Sequence, residues 1–516
     1  MSRSERDAER LERRYQRAVA DQRAGHHRAA AAGYGYVLNK QPDHLAARNN
    51  LAAALAALGW RDAAAATYRM GLETHPDSPE LHANLGHLLS EDGDLQAAAD
   101  HYGAALDRAP GLTEVRYILA LVLRRLGRSD EARAHLRWVA AEATADPRPG
   151  TALAAMAVDA GRPETALKHA EDALSRAPDD AAALNMRGVA CKELARFDDA
   201  RAAFDAAIGA DPGHAEARYN RAVVRLLKGE LPAAWADYEW RWRGAGRQPP
   251  GAGLGLPTWR GEPLDGRTVL VVGEQGFGDT IQFIRYAPLI KDRGGRVVLQ
   301  CRPELTRLMQ TAPGVDAVCG FGTAPAEADL TVPLLSLPGI FETKADTIPF
   351  AAGYLEAPSP AAHARPLPRV GLVWAGSPTH ENDRNRSVPP AAFGPVLALD
   401  AIDFVSLQMG PARDRLEGAG LAGRVTDMSA GITDFADTAA ALAGLDLLIS
   451  ADTVAAHLAG AMGRPAWVLL PAVPDWRWML GRADTPWYQT LRLFRQTRPG
   501  DWDGPLAAIA RELHAL

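Results

Sequence analysis

Cysteine is nearly missing from this chain of 516 residues: Cys191, Cys301 and Cys319 are its three cysteines, and none lies in a Cys-x-x-Cys spacing. Neither a zinc ribbon nor a disulfide framework is expected, and a reducing compartment, the cytoplasm, is the natural one for such a chain. Long apolar runs are also missing. No stretch of about 18 apolar residues occurs, so no membrane span is expected. The start, Met1 to Arg14, is charged and has no apolar core of a secretory signal. There is no excess of positive charge: 57 basic residues face 63 acidic ones, for a formal net charge of −6. That argues against a nucleic-acid partner engaged through a broad basic surface. The length fits about two to four domains.

A regular period is what the sequence does have. Pro42, Pro76, Pro110, Pro178 and Pro212 stand 34 or 68 residues apart. Ala64, Ala98, Ala132, Ala166, Ala200 and Ala234 follow the same step, and four residues after them come Tyr68, Tyr102, Leu136, Ala170, Phe204 and Tyr238. Gly59, Gly93, Gly127, Gly161 and Gly229 form a further column. Each unit reads as a helix, a glycine-assisted turn, a second helix and a proline stop, with small residues where helices cross and aromatics beside them. In period and order of residue types this resembles the tetratricopeptide repeat, a helix–turn–helix of about 34 residues. About six full units run from about 45 to 243, with half a unit before them ending at Pro42. Solenoids of this kind offer a concave face to a polypeptide partner; the array could equally serve only to hold the second half.

After a Gly- and Pro-rich stretch the period changes. Residues 1–10 read as a charged tail, 11–243 as the repeat array and 244–266 as a linker, in which Trp259 invites packing. Beyond it, short β-branched runs alternate with helical patterns. Thr268–Val272, Arg296–Gln300 and Ala328–Val332 read as strands of one half, 267–365. Arg369–Trp374, Asp403–Leu407, Asp446–Ser450 and Ala466–Leu470 read as strands of another, 366–516. The fold class expected is a multidomain one: an all-α repeat solenoid followed by an α/β region of two Rossmann-like halves with parallel sheets. Ligands of such sheets bind at the carboxyl ends of the strands.

Four motifs could carry chemistry. Gly273 to Thr280 joins a strand to a helix, and Gly276 and Gly278 permit a tight turn. It is not a phosphate-binding P-loop, because no Gly-Lys-Ser/Thr follows. Asp279 there reads as the helix N-cap, with Gln282 as its capping-box partner, or as a general base at the cleft. Ser450 to His457 is a second strand-to-helix turn, in which Asp452 reads as the cap. Thr453 and His457, four apart, share a helix face. The turn is either a phosphate cradle or a capped core helix with one buried histidine. The third motif, Gly376 to Ser387, holds Arg384 and Arg386, suited to phosphate oxygens or to a solvated loop. The fourth, Pro474 to Trp478 with Trp487 and Tyr488, reads as core or as the wall of a sugar or base pocket. Asp501-Trp-Asp503 reads as a turn and helix start, and no metal cluster is evident.

On these residues the region 267–516 resembles the GT-B glycosyltransferases, and among them the heptosyltransferases of lipopolysaccharide synthesis. Gly278-Asp279, Asp452-Thr453 with His457, and Arg386 to Pro389 carry the resemblance. It implies Asp279 as catalytic base and the backbone after Asp452 as the holder of the donor diphosphate. A lysine often stands in that family where Arg386 stands here. The fusion of repeats to such a module is similar in architecture to O-linked N-acetylglucosamine transferase. It looks most like the bacterial repeat-plus-glycosyltransferase proteins that include flagellin glycosyltransferases.

The resemblance implies a cytoplasmic protein O-glycosyltransferase, inverting and independent of metal or other cofactor. A nucleotide-sugar would be its co-substrate, and an acceptor protein, flagellin, would be held by the repeats; a nonulosonic acid is the sugar expected. Asp279 and His457 would be catalytic, and Gly276, Gly278, Arg384, Arg386, Asp452 and Thr453 would bind the donor. Two other readings stand beside it: a sugar transferase acting on lipopolysaccharide, and a repeat scaffold whose second half binds without catalysing.

Overall fold

A computed structural model describes residues 3–244, 248–321, 325, 327–356, 366–380 and 382–515. The chain divides into two compact units, Met1–Ala190 and Cys191–Leu516. The first is helical throughout its described residues. The helices continue into the second, so that fourteen in succession lead from Arg3 to Tyr238. They are the tetratricopeptide-repeat solenoid that the period predicts.

The sequence columns have visible causes. Ala64, Ala98, Ala200 and Ala234 are fully buried where paired helices cross, with Tyr68, Tyr102, Phe204 and Tyr238 filling the space beside them. The glycine column turns the chain: Gly59, Gly93, Gly127, Gly161 and Gly229 all have left-handed backbone, with φ between 67° and 88°. One step in that column lacks glycine, and Ala195 takes the left-handed conformation there at φ 56°. Polar side chains cap several of the helices that open units, though not Thr113–Arg125 or Arg148–Asp159. Ser78 accepts from the Leu81 N–H, Asp180 from Ala183, and His214 through Nδ1 from Ala217.

The start of the array is corrected. The first helix is Arg3–Arg23, so most of the segment set apart as a charged tail is helical. Leu11, Tyr15, Ala18 and Val19 give it an apolar stripe that packs on Tyr34 and Val37 of the helix His27–Lys40. A full helix pair therefore stands where half a unit was expected. The repeat helices end at Tyr238, close to the expected 243, and the division into compact units falls inside the array, within the helix Ala181–Glu193.

In the second unit the repeat helices Phe197–Ala210, Ala215–Leu227 and Leu231–Tyr238 share a core with two parallel sheets. The first sheet holds β1 (Thr268–Val272), β2 (Arg296–Gln300), β3 (Ala317–Cys319) and β4 (Leu330–Pro333), in the order β3-β2-β1-β4. The second holds β5 (Arg369–Val373), β6 (Asp403–Ser406), β7 (Thr426–Asp427), β8 (Leu447–Ala451), β9 (Ala466–Leu470) and β10 (Leu491–Arg495), in the order β10-β9-β8-β5-β6-β7. Every pairing between them is parallel. β1 and β8 are buried along their whole length, as parallel strands covered on both faces must be. Of the linker, residues 245–247 lie outside the described residues. Trp259 in it is fully buried, and its backbone N–H donates to the Thr331 carbonyl of β4. Most of the Pro-rich joint from Pro358 to Pro368 also lies outside the described residues.

One aromatic cluster joins repeat helices to sheets. Trp476 lies 6.1 Å from Trp235 and 5.8 Å from Tyr238 of the last repeat, and 6.2 Å from Phe283 and 6.0 Å from Trp487 on the α/β side. Replacing Trp476 by alanine is expected to destabilise the second unit by roughly 3–5 kcal/mol, the cost of removing a buried aromatic. Urea unfolding followed by fluorescence and circular dichroism would measure it. Trp60→Ala, at a residue 51% exposed, should stay within about 0.5 kcal/mol of the parent.

Candidate functional site

Strand order places the site before any side chain does. In the first sheet the chain winds outward from β1 through β2 to β3, then returns to place β4 on the other side of β1. In the second, β5 leads to β6 and β7 on one side, while β8, β9 and β10 extend the other. The order reverses between β1 and β4, and again between β5 and β8. A crevice opens at the carboxyl ends of strands where such a reversal occurs. The turns leaving β1, β5 and β8 carry three of the four motifs.

The turn after β1 differs from its sequence reading. The helix is Phe277–Phe283, and its N-cap is Gly276 rather than Asp279. Gly276 takes an extended backbone, so the helix starts early and Asp279 falls on its third residue. From there one carboxylate oxygen accepts the Gly276 N–H at 2.7 Å. Asp279 thus closes the turn back on itself. Its other oxygen accepts from the Arg477 guanidinium. Burial raises the Asp279 pKa above the ordinary carboxylate value, against the pull of Arg477 and the Gly276 N–H. Gln282, expected as a capping partner, is instead fully buried.

The turn after β8 is also shifted by one residue. Thr453, not Asp452, is the N-cap of the helix Val454–Ala461. The Ser450 and Thr453 hydroxyls lie 3.0 Å apart. Asp452 is buried, and burial together with repulsion from Asp475 pushes its pKa up to about 6. His457 is buried against the Trp478 ring, with 5.1 Å between ring centres, and its Nδ1 lies 3.1 Å from the Tyr488 hydroxyl. Burial, then the nearby Arg477, pushes its pKa down to about 3, so the imidazole is neutral at ordinary pH.

These two turns meet. A Cβ at Gly278 would stand 2.9 Å from His457 Cδ2, too close for any side chain. Only glycine lets the helix after β1 lie directly on the helix after β8. From the β5 side, the partly buried Arg386 reaches this group: its Nη1 donates to the Asp452 carbonyl at 3.3 Å, and its Nε lies 3.6 Å from Asp383. Arg384 lies exposed on the same helical turn, Asp383–Arg386. Glu381 lies outside the described residues. The structure therefore brings Asp279, Gly278, His457, Asp452, Thr453 and Arg386 together, and leaves Arg384 at the rim.

Asp475 and Arg477 are members of the site that sequence reasoning missed. The run Pro474 to Trp478 was read for its aromatics, and Trp476, Trp478, Trp487 and Tyr488 are indeed buried core. Between them Asp475 accepts from the Arg477 side chain at 2.8 Å and from its backbone N–H at 3.0 Å. Burial disfavours the charge on Asp475, yet Arg477 holds its pKa below the ordinary value. Burial likewise disfavours the charge on Arg477, and Asp279 and Asp475 more than restore it. An acid and a base two residues apart inside an aromatic run is the signal that could have pointed to them. Asp503 begins the helix Asp503–His514, as expected. Among the described residues no group of three or more His, Cys, Asp and Glu side chains is placed to hold a metal ion. No described helix is long and apolar enough to cross a membrane.

The comparisons with known proteins agree on the helical part. Models of the tetratricopeptide repeat match residues 89–156, 157–218 and 192–248. Protein FlbA of Caulobacter vibrioides is 26% identical over 442 residues, covering 77% of this chain and 72% of the relative, and so reaches well into the α/β region. Among solved structures, a tetratricopeptide repeat protein from Parabacteroides merdae is 17% identical and covers 46% of this chain and 94% of its own, with a TM-score of 0.40. YrrB, described as a repeat protein with an unusual peptide-binding site, is 20% identical and covers 36% and 96%, with a TM-score of 0.32.

The histidine has a measurable signature. A folded-state pKa pushed down from 6.5 means that His457 contributes stability fully above pH 6.5 and loses it as pH falls toward 3. Between pH 6.5 and 5 that loss is roughly 2 kcal/mol. His457→Gln should flatten this part of the stability profile in urea titrations. Asp452→Asn should act in the opposite sense, removing a loss that in the parent grows as pH rises through about 6.

Proposed function

We propose that this protein is a protein O-glycosyltransferase of the GT-B type, which takes its sugar from a nucleotide-sugar and its acceptor from a polypeptide, with flagellin the first candidate. The observation that carries the reading is the contact of Gly278 with His457. It sets the turn after β1, with its carboxylate, against the turn after β8, with its free helix N-terminus, at the two points where strand order reverses. A two-sheet transferase needs an acceptor base from one half and a phosphate holder from the other.

The residues divide the work as follows. The donor diphosphate lies at the N-terminus of the helix Val454–Ala461, where backbone N–H groups and the helix dipole favour negative charge. Arg386 adds a cation there. Asp279 takes the proton of a Ser or Thr hydroxyl as that oxygen bonds to the anomeric carbon. The bond from that carbon to phosphate breaks, and the nucleotide leaves with the electron pair, on the side where Arg386 and the helix end stabilise it. Arg477 and the Gly276 N–H favour the ionised form of Asp279 against its burial. His457, neutral, acts as a hydrogen-bonding group toward phosphate or sugar rather than as an acid. Repeat arrays commonly bind peptides, which supports a protein acceptor.

A second reading has an observation of its own. Both oxygens of Asp279 are already engaged, by Gly276 and Arg477. A carboxylate so held suits a binding scaffold as well as a base.

Thermal unfolding in the presence of CMP, UDP, ADP or GDP sugars separates the two. A donor at about 100 times its Kd stabilises by about 2.7 kcal/mol. The transferase reading expects such a shift with one base and its loss in Arg386→Ala. It also expects Asp279→Asn to slow transfer about 10²- to 10⁴-fold while keeping the nucleotide shift. No shift with any donor would leave the scaffold, and an Asp279→Asn protein of full activity would remove Asp279 as the base.

A further inference from the structure

Among the described residues of the second unit, Arg241, Arg285 and Arg477 are the buried arginines. Two of them meet carboxylates: Arg241 pairs with Glu274, and Arg477 with Asp279 and Asp475. Arg285, 1% exposed, meets only neutral groups among the described residues. Its Nε donates to the Gln282 carbonyl at 2.8 Å, and its Nη1 to the carbonyls of Trp487 at 2.8 Å and Pro349 at 3.4 Å. Its Nη2 donates to the Tyr354 hydroxyl at 3.2 Å. The rings of Tyr354, Trp487 and Tyr488 lie 4.7, 5.5 and 4.8 Å away. A guanidinium carries five N–H donors, so these bonds leave one on Nη2. Carbonyls and rings solvate the charge, but they do not neutralise it, and a buried charge is ordinarily paired.

The same arginine lines a cavity of about 300 Å³, a volume at the lower end of small-molecule sites. Ile284, Pro288, Ala312 and Leu355 give it apolar walls. Phe350 and Glu356 are exposed members of the lining. Phe350 is 45% exposed and takes left-handed backbone at φ 54°, a conformation bulky residues rarely adopt. None of Asp279, Arg386, Asp452, His457 and Arg477 lines this cavity. It lies instead at the far ends of the two helices that meet at Gly278 and His457. The short helices Ile284–Tyr286 and Ala287–Lys291 continue from Phe277–Phe283, and the Tyr354 and Leu355 N–H groups donate to the Ala461 carbonyl, at the end of Val454–Ala461. Tyr488 stands between the two places, with its ring against Arg285 and its hydroxyl at His457 Nδ1.

We propose that this cavity is a second binding site, for a small organic monoanion with an apolar body, whose carboxylate is seated on Arg285. The ligand supplies the anion that Glu274 supplies to Arg241 and Asp279 to Arg477, through a charge-assisted hydrogen bond from the remaining N–H. Its hydrocarbon part replaces water on the walls made by Ile284, Pro288, Ala312 and Leu355. Glu356, an exposed carboxylate of the same lining, repels a second negative charge. Nucleotides and other polyphosphates are therefore poor occupants, which sets this site apart from a donor site at the helix Val454–Ala461. The inference does not depend on the transferase reading, since none of the residues assigned to that chemistry lines the cavity.

The test is calorimetric titration of the full chain with 4-phenylbutyrate and with its neutral amide, 4-phenylbutanamide. The acid should bind one site with a Kd below about 1 mM, and the amide about tenfold more weakly, for want of the charged hydrogen bond. Ala312→Leu, which fills the cavity with hydrocarbon and leaves Arg285 in place, should weaken binding of the acid at least about tenfold. Glu356→Gln, at an exposed position, should tighten it about two- to threefold, and less at high salt. Circular dichroism and Tm of both variants would establish that they fold as the parent does. Equal binding of acid and amide would overturn the inference, by making the cavity merely apolar. Undiminished binding to a folded Ala312→Leu protein would overturn it by placing the ligand elsewhere, and so would a parent chain that fails to bind the acid. None of these readouts uses a sugar donor, so each leaves the transferase reading as it stands.

Discussion

A guanidinium withdrawn from water is the constraint around which the second unit is built. Arg477 is 6% exposed, and a charge so buried is tolerated only where anions meet it. One of those anions, Asp475, comes from its own turn. The other, Asp279, comes from the helix after β1 in the other sheet. The pair is therefore complete only when both sheets are in place, and removing either partner would strand a buried charge. Arg241 and Glu274 repeat the arrangement on a second front, between the last repeat and the same β1 turn. Arg285, also buried, is met differently: it donates to the Trp487 carbonyl and lies among the rings of Tyr354, Trp487 and Tyr488. Three arginines thus fix the geometry of the turn that holds Asp279.

Such pairs contribute less to stability than to arrangement. Desolvation offsets much of the attraction between buried ions, whereas the aromatic cluster on Trp476 buries apolar surface without that cost. The two kinds of contact are interleaved along a single short segment, Asp475 to Trp478. Trp476 and Trp478 anchor it in the core, while Asp475 and Arg477 turn toward the site.

Much of this was readable in the sequence, and the limits have physical causes. The repeat columns are written in residues whose size or backbone freedom is required, so alanine, glycine and proline spacing marked the period of the helix pairs. β1, β2 and β9 were equally legible, because parallel strands covered on both faces need unbroken apolar runs. β3, β7 and β10 are short or lie at sheet edges, and their alternating composition gave no such run. Both caps were read wrongly, Asp279 for Gly276 and Asp452 for Thr453, because an aspartate is the usual N-cap. Here tertiary contacts claim the aspartates: Asp279 pairs with Arg477, 198 residues away. The link from Arg477 to Asp279 escaped notice for the same reason, since nothing local reveals a partner so distant, although the pairing of Asp475 with Arg477 lay within the run.

The seam between the compact units, at Ala190 and Cys191, has a consequence for how such chains diversify. Recombination that exchanged one repeat array for another at the obvious compositional border, near 243, would discard Trp235, Tyr238 and Arg241 and leave the α/β half with an open flank. A crossover upstream of the seam would carry the last repeats along with the sheets they complete. Lineages that trade recognition modules are thus expected to inherit these final helices with the α/β half, so that their ancestry follows the sheets and not the solenoid.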